Sequence, residues 1–460
     1  MKNIPQINDI LPLSASQRLF LQGASGSTRD NVHVYGYRLA GDVDETIVER
    51  VWGKIVRAYP SLRTSLHILA PDRAFQVEHE AAEPTFIYQD LRHLPADKRE
   101  AEVARYQQSE SETLFHWHQP PLLRIGLHRL DDRDCVMTVT IDHMIFDGWS
   151  LGLAIRDFFQ GCAALKRKTA WSLPAGPSVR AYLQWHQRQD LAGALQWFRN
   201  KMAMIADQRL PFVERGQWPD AVCADAAIFL PFSEAEDREL AEGAKRLGVT
   251  PYVLFQGAWS LILSRCQKER TAYFLSSAAS RPAEVPEIDN LFGLLLGVIP
   301  HAYACPDDAV AGEWLDALRA YQVEAMNYHY VPPCEVAALQ KELAPTVQTS
   351  CVVFQNMDTG TDADAAETQD ITVSQGGVIS RSNYPLVVGA QPFPRLQLSF
   401  MYDRRLFREE SMHKLGILMR GLMLGLQRDR SASLQTVCSR EPAASLLCEL
   451  AASSPEHFNI

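Results

Sequence analysis

Residues 142 to 150, Asp-His-Met-Ile-Phe-Asp-Gly-Trp-Ser, set an imidazole four positions ahead of a carboxylate and five ahead of a glycine. A neutral imidazole near pH 7 can take a proton from an amine or a hydroxyl, whereas an ionised carboxylate of ordinary pKa is a far weaker base. His143 is therefore read as the reacting group. Gly148 would let a substrate come close to the backbone, and its N–H, near a helix N-terminus, can donate to a developing oxyanion; a glycine needed only for a turn fits the spacing equally. With 13 histidines and 25 glycines in 460 residues such a string is short enough to arise by accident, so its setting has to decide.

Two further roles follow from the same stretch. Asp147 reads as structural, because a buried carboxylate there needs an arginine partner, and the pair would pin the loop that aims His143. Arg281, in SSAASRPAEVPE, is the favoured partner, with Arg63, in YPSLRTSL, behind it. Asp142 stands beside His143 at a strand end, where neighbours point to opposite faces, so the two cannot both look into one cleft. His116 and His118 share a face if extended, but no third ligand is near and no metal is expected. The sequence has no G-x-S-x-G elbow, P-loop, dinucleotide fingerprint or H-E-x-x-H, so no bound cofactor is expected either.

The elements that must hold these residues can be read from periodicity. LLRIGLHRL alternates Leu123, Ile125 and Leu127, and CVMTVTID alternates Cys135, Met137, Val139 and Ile141; with DDRD between them they form an antiparallel hairpin. LGLAIRDFFQGCAALKRK places Leu151, Ile155, Phe158 and Cys162 on one helical face, with Ser150 as N-cap. The motif thus sits on a strand-to-loop-to-helix junction. DVDETIVERVWGKIVRAYP spaces Ile47, Val51, Ile55 and Tyr59 as an amphipathic helix, with Asp42 and Glu45 placed for a capping box and Pro60 at its end. Thr250 and Pro251 open another helix, and TAYFLSSA is a strand.

At 460 residues the chain exceeds one growing core, which predicts two lobes of about 200 residues each. The Pro/Gly-rich segment 171 to 180 places the division, giving lobes 1–175 and 176–460. A hydrophobic fraction of 47% with 22% charged residues is that of an ordinary globular protein. Nine cysteines without C-x-x-C spacing read as reduced thiols. A net charge of -10 without a basic stripe excludes a nucleic-acid partner. With no leader pattern at the N-terminus and no apolar run long enough to span a bilayer, a cytoplasmic protein without membrane contact is expected, as a monomer.

DHMIFDGWS resembles the His-His-x-x-x-Asp-Gly-Trp-Ser signature of nonribosomal peptide synthetase condensation domains, within the chloramphenicol-acetyltransferase-like superfamily. The resemblance runs along the chain: PLSASQRLFLQG, RAYPSLRTSL, LFHWHQPPLLRIGLHRL, SVRAYLQWHQRQ, LFGLLLGVIPHA, YVPPCEVAAL, VVFQN and SFMYDRRLF are similar to that family's motifs, in order. It implies an α/β (α+β) fold of two acetyltransferase-like lobes in a V, each a mostly antiparallel or mixed sheet flanked by helices, with a tunnel between them. An acyl chain on the phosphopantetheine arm of an acyl or peptidyl carrier protein would enter from one side. The acceptor, a small molecule or itself carrier-bound, would enter from the other. Carried over by position, His143 matches the functional second histidine, Asp147 the structural aspartate and Gly148 the glycine whose amide faces the tunnel; Trp149, Ser150 and Gly297 become tunnel candidates.

The departures are specific. The family's first histidine is Asp142 here, expected to be tolerated as a structural residue of the site, Tyr59 stands where a histidine is usual, and Gly297 stands where the family has asparagine. DHMIFDGWS also fits D-x-x-x-x-D-x-x-S of heterocyclisation domains, with Asp142, Asp147 and Ser150 in register, though those domains usually lose the residue at His143 and VVFQNMD does not resemble their downstream stretch. Two more readings stay open: a non-catalytic partner-recruiting domain, and a coenzyme A-dependent acyltransferase, which would lack the DFGWG motif of its plant-type members. No adenylation domain and no Gly-Gly-x-Ser carrier site accompany the motifs, so the chain is read as a free-standing or excised condensation enzyme meeting its carriers in trans.

Overall fold

A computed structural model describes residues 6–21, 27–70, 73–205, 208–213, 218–219, 222–266, 270–355, 371–392 and 395–453. Its described strands are β1 (Ile7–Pro12), β2 (Val32–Gly41), β3 (Thr64–Ala70), β4 (Arg73–His79), β5 (Thr85–Asp90), β6 (Leu123–Asp131), β7 (Asp134–Asp142), β8 (Ala226–Pro231), β9 (Thr271–Ala279), β10 (Leu296–Ala304), β11 (Cys351–Phe354), β12 (Ile371–Ile379), β13 (Leu386–Gln391) and β14 (Gln397–Tyr402). The chain forms two compact units, one of Met1–Gln189, Ala279–Leu296 and Met357–Arg381, the other of Asp190–Ala278, Gly297–Asn356 and Ser382–Ile460. The first unit thus runs past residue 175 and takes in two later segments. Side-chain hydroxyls hold one of them: Ser61 donates to Phe292 O at 2.6 Å and Ser14 to Leu294 O at 3.2 Å.

The first unit has a five-stranded sheet, order β12-β2-β7-β6-β5, and an antiparallel three-stranded sheet, order β1-β4-β3. In the larger sheet β7 pairs antiparallel with both β2 and β6, while β5 runs parallel to β6. The alternation read from the sequence is the one that packs. Leu123, Ile125, Leu127, Cys135, Met137, Val139 and Ile141 share a core with Val51, Trp52 and Ile55 of the helix Glu45–Ala58 and Ile155 and Phe158 of the helix Gly148–Lys166. Each such side chain, fully buried, contributes about 1.5–3 kcal/mol, which is what docks the two helices. The opposite face of β7 carries Thr138, Thr140 and Asp142, also buried, and the helix Ala96–Glu112 reaches it through Gln107.

Two helix starts differ from expectation. The helix Glu45–Ala58 is capped by Asp44, whose carboxylate accepts from Thr46 N and Ile47 N, and not by the Asp42–Glu45 box; Asp44 is the residue one step ahead of the first helical turn. Ser150 is likewise not the N-cap of the next helix. Asp147 is, and Ser150 lies inside the first turn, donating its N–H to Asp147 at 2.9 Å.

The second unit has a six-stranded mixed sheet, order β10-β9-β11-β13-β14-β8, with β11 parallel to both its neighbours and β14 antiparallel to both of its own. Its central helix, Pro251–Arg265, enters through Thr250, whose hydroxyl accepts from Val253 N, with Pro251 in the first turn. Being apolar nearly all round, it is buried among Leu415, Met419 and Leu422 of the helix Glu409–Arg428 and the sheet. The mixed α/β architecture is that of the expected fold class. Asn356, Met357 and Asp358, part of the stretch weighed against heterocyclisation, lie outside the described residues.

Candidate active site

Strand β7 ends at Asp142, a single 3-10 turn spans His143–Ile145, and the helix Gly148–Lys166 starts three residues later. The turn is held from a distance. Ser14 and Gln17 form a capping box on the helix Ala15–Phe20, and Gln17 Nε2 donates to Met144 O at 2.9 Å, so the opening S-x-x-Q of the chain fixes the carbonyl next to His143. Phe20, on the same helix, lays its ring 4.7 Å from that of His143.

His143 is half-buried among three rings: Phe20, Phe146 at 5.0 Å and His33 at 4.6 Å, the last edge to face. Its Nδ1 lies 3.0 Å from Phe146 O, a carbonyl that can only accept, so Nδ1 carries the hydrogen and Nε2 keeps its lone pair. Among the described residues the one hydrogen bond of the His143 ring is the one at Nδ1. Burial lowers the pKa of His143 below its usual value, against the opposing charge of Asp147. The ring is therefore a neutral base at pH 7 with one nitrogen unclaimed.

Asp147 is saturated. Its Oδ1 accepts from Ser150 N at 2.9 Å and lies 2.8 Å from Ser150 Oγ, its Oδ2 accepts from Leu295 N at 3.1 Å, and Arg281 Nη2 stands 3.0 Å from both oxygens. Both charged partners are nearly inaccessible, at 3% and 5% side-chain exposure, so this is a buried ion pair with its remaining lone pairs filled. Ser150 Oγ also lies 2.9 Å from Gly293 O and accepts from Gly293 N at 2.9 Å. Trp149 covers Arg281, 5.9 Å from ring to guanidinium, and donates to Asp289 O at 2.9 Å.

Gly148 has no such constraint. Its φ is not in the left-handed region, and a Cβ built on it would meet no atom within 4 Å. Neither a turn nor close packing requires glycine there. As the first residue of its helix it has an N–H with no intrahelical acceptor.

Asp142 has no partner in common with His143. Fully buried, it accepts from Ser27 Oγ at 2.7 Å, Trp117 Nε1 at 2.9 Å and Met144 N at 3.0 Å, yet desolvation outweighs these donors and its pKa is raised to about 6. Two candidates are not brought to the motif. Arg63 turns its Nη1 to the carbonyls of His79 and Glu80, and its Nε is buried without a partner among the described residues. Gly297 belongs to the second unit, where a Cβ would overlap the carbonyl oxygen of His329, so its glycine is accounted for by backbone packing there. His116 and His118 stand 5.9 Å apart, ring to ring, and among the described residues no group of three or more metal-ligating side chains is found. Two residues of the site, His33 and Gln17, are absent from the candidates read from sequence; the capping-box spacing marks Gln17, whereas nothing local marks His33, whose meeting with His143 depends on strand register.

The class of protein is given by a family match, to domains that are acyltransferases. The chain belongs to the Condensation domain family, whose model matches residues 7–441. A linear gramicidin synthase polypeptide of Brevibacillus parabrevis is 28% identical over 403 residues, 86% of this chain and 8% of that protein. Surfactin synthase subunit 3 of Bacillus subtilis (strain 168) is 24% identical over 328 residues, 71% of this chain and 25% of that protein. The first condensation domain of the calcium-dependent antibiotic synthetase, solved with a substrate analogue, has the same fold, with a TM-score of 0.77 at 14% identity over 94% of this chain and 99% of that one. The chain spans at most a quarter of the length of these two curated relatives. Condensation domains form amide bonds in nonribosomal peptide synthetases and work with carrier-protein domains. Among the described residues no single helix is long and apolar enough to cross a membrane.

Proposed function

We propose that this chain transfers a carrier-bound acyl or peptidyl group to an amine or hydroxyl acceptor, with His143 as the group that handles the acceptor's proton and Gly148 as the oxyanion donor. The acceptor's N–H or O–H is held by the His143 Nε2 lone pair while its nitrogen or oxygen attacks the thioester carbonyl. The tetrahedral oxyanion is met by the Gly148 N–H. On collapse the C–S bond breaks, the new C–N or C–O bond remains, and the imidazolium returns its proton to the departing phosphopantetheine thiolate. No step calls on a metal or redox group, and the carriers are met in trans.

The observation that carries this reading is the pairing of an unclaimed Nε2 with a glycine whose missing side chain serves neither backbone nor packing. Heterocyclisation finds less support. It would call on Asp142, Asp147 and Ser150, and all three spend their polar atoms on Trp117, Arg281 and Gly293. The test is mass spectrometry of a loaded carrier protein mixed with the enzyme and candidate amines or alcohols. A simple condensate with the parent and none with His143→Ala supports the proposal. Equal product from His143→Ala overturns it, as does a product lighter by one water.

A further inference from the structure

His33, the second residue of β2, lies opposite Ile141 of β7 and is 5% exposed. Its ring meets that of His143 edge to face at 4.6 Å and also lies 5.8 Å from Phe146 and 6.3 Å from Tyr35. Its Nδ1 shares a hydrogen bond of 2.8 Å with the hydroxyl of Ser380. Ser380 directly follows β12, the strand from later in the chain that adds itself antiparallel to β2. A buried imidazole tied at one nitrogen has its ring plane fixed, and a ring packed against it edge-on cannot rotate independently.

We propose that His33 is a positioning residue for His143: anchored by Ser380, it fixes the plane of the His143 ring and keeps water from one side of it. The inference rests on the reading of His143 as the proton-handling group. His33 itself remains neutral, since burial and the proximity of His143 hold its pKa well below the usual histidine value, so any proton taken up by the pair resides on His143. The titratable and charged groups facing the two rings are Asp147 on His143, and Arg381 and Tyr35 on His33. None of these replaces the wall that His33 makes.

Removing the wall in His33→Ala lets water reach His143, so its pKa rises toward about 6.5 and the acid limb of the kcat/KM profile moves to higher pH. With the ring no longer held, kcat falls about 10- to 100-fold at little change in KM. His33→Phe, which restores a ring without the nitrogens, recovers most of that loss and keeps the acid limb low. Ser380→Ala, which leaves the core volume nearly intact, gives a drop of a few-fold in kcat. NMR titration of the His143 ring in the parent, His33→Ala and His33→Phe reads the pKa directly, whatever the turnover. An unmoved His143 titration in His33→Ala, or a kcat in both His33→Ala and Ser380→Ala within twofold of the parent, overturns the proposal. Retained turnover in His143→Ala overturns the reading beneath it instead, so the two failures are distinguishable.

Discussion

Two imidazoles packed among aromatic rings, His143 in the first unit and His301 in the second, are treated differently. His301, on β10 of the second unit, stacks on Phe274 at 5.0 Å with its Nδ1 2.7 Å from Tyr303 Oη and its Nε2 2.8 Å from Ser276 Oγ. It is 1% exposed, and burial lowers its pKa to about 3. His143 has the same kind of aromatic surroundings and a pKa displaced in the same direction, but only one of its nitrogens is bonded. A lowered pKa therefore does not separate a reacting histidine from a structural one, and an open nitrogen does so only where the ring can be reached: among the described residues His33 and His128 also leave Nε2 unpaired, but both are buried, whereas His143 is half-buried.

The largest expected effect tests that distinction directly. His143→Ala should lower turnover by about 10²- to 10⁴-fold, the usual contribution of a positioned acid–base group, with little change in melting temperature. His301→Ala should do the reverse, costing about 3–5 kcal/mol of stability through a cavity and the unpaired Tyr303 and Ser276 hydroxyls, while folded enzyme keeps its kcat. Paired measurements of kcat and unfolding free energy settle it, and two variants with the same profile would dissolve the comparison.

Next in size is the ion pair behind the site. Asp147→Ala strands the Arg281 guanidinium in a dry interior and should cost about 3–5 kcal/mol. The comparison sharpens in the double variant Asp147→Ala/Arg281→Met, which removes the stranded charge and should recover most of that stability but not the activity, because the turn that aims His143 has lost its cap. A single variant as stable as the parent by denaturant unfolding would show that the pair holds nothing.

Smaller, and opposite in sign between the units, is the response to pH. His301 has a folded pKa below its unfolded one, so its contribution is present above about pH 6.5 and is lost as pH falls toward 3. Asp142 is raised to about 6; the folded carboxyl keeps a proton that the unfolded chain has shed, so its contribution is full below about pH 4 and lost as pH rises through 6. A shift of roughly two units corresponds to about 3 kcal/mol. The stability of the parent relative to Asp142→Asn, which cannot titrate, should accordingly shrink by about that amount between pH 4 and pH 7.5. A pH-independent difference would mean that Ser27, Trp117 and the Met144 N–H already hold Asp142 ionised.

Local rules made some of this legible in the chain and left the rest hidden. The β6–β7 hairpin and the apolar faces of its helices were readable because alternation and helical spacing act within about ten residues. An Asp147–Arg281 pair could be anticipated, since a buried carboxylate demands a cation; that Arg63 turns to His79 and Glu80 could not, because either arginine satisfies the same demand. The caps at Asp44 and Asp147 fall a few residues from their expected places because several short polar side chains compete for one helix end. His33 was invisible: its meeting with His143 is set by the register of β2 on β7 and by the arrival of β12, both long-range.

The smallest change in stability belongs to Gly148, and it bears hardest on function. A glycine kept for its backbone is destabilised by alanine, but here φ is ordinary and the Cβ position is empty, so Gly148→Ala should leave the fold unchanged or stabilise it by about 0.4–1 kcal/mol through a less flexible unfolded chain. The Gly297 position is the contrast, since alanine there must displace the His329 carbonyl and should destabilise. If the space over Gly148 is where the thioester carbonyl lies, then Gly148→Ala, and Gly148→Val more strongly, should raise KM or lower kcat in a protein that melts no lower than the parent. Full activity in the valine variant would return this glycine to the helix start and leave His143 without its oxyanion partner.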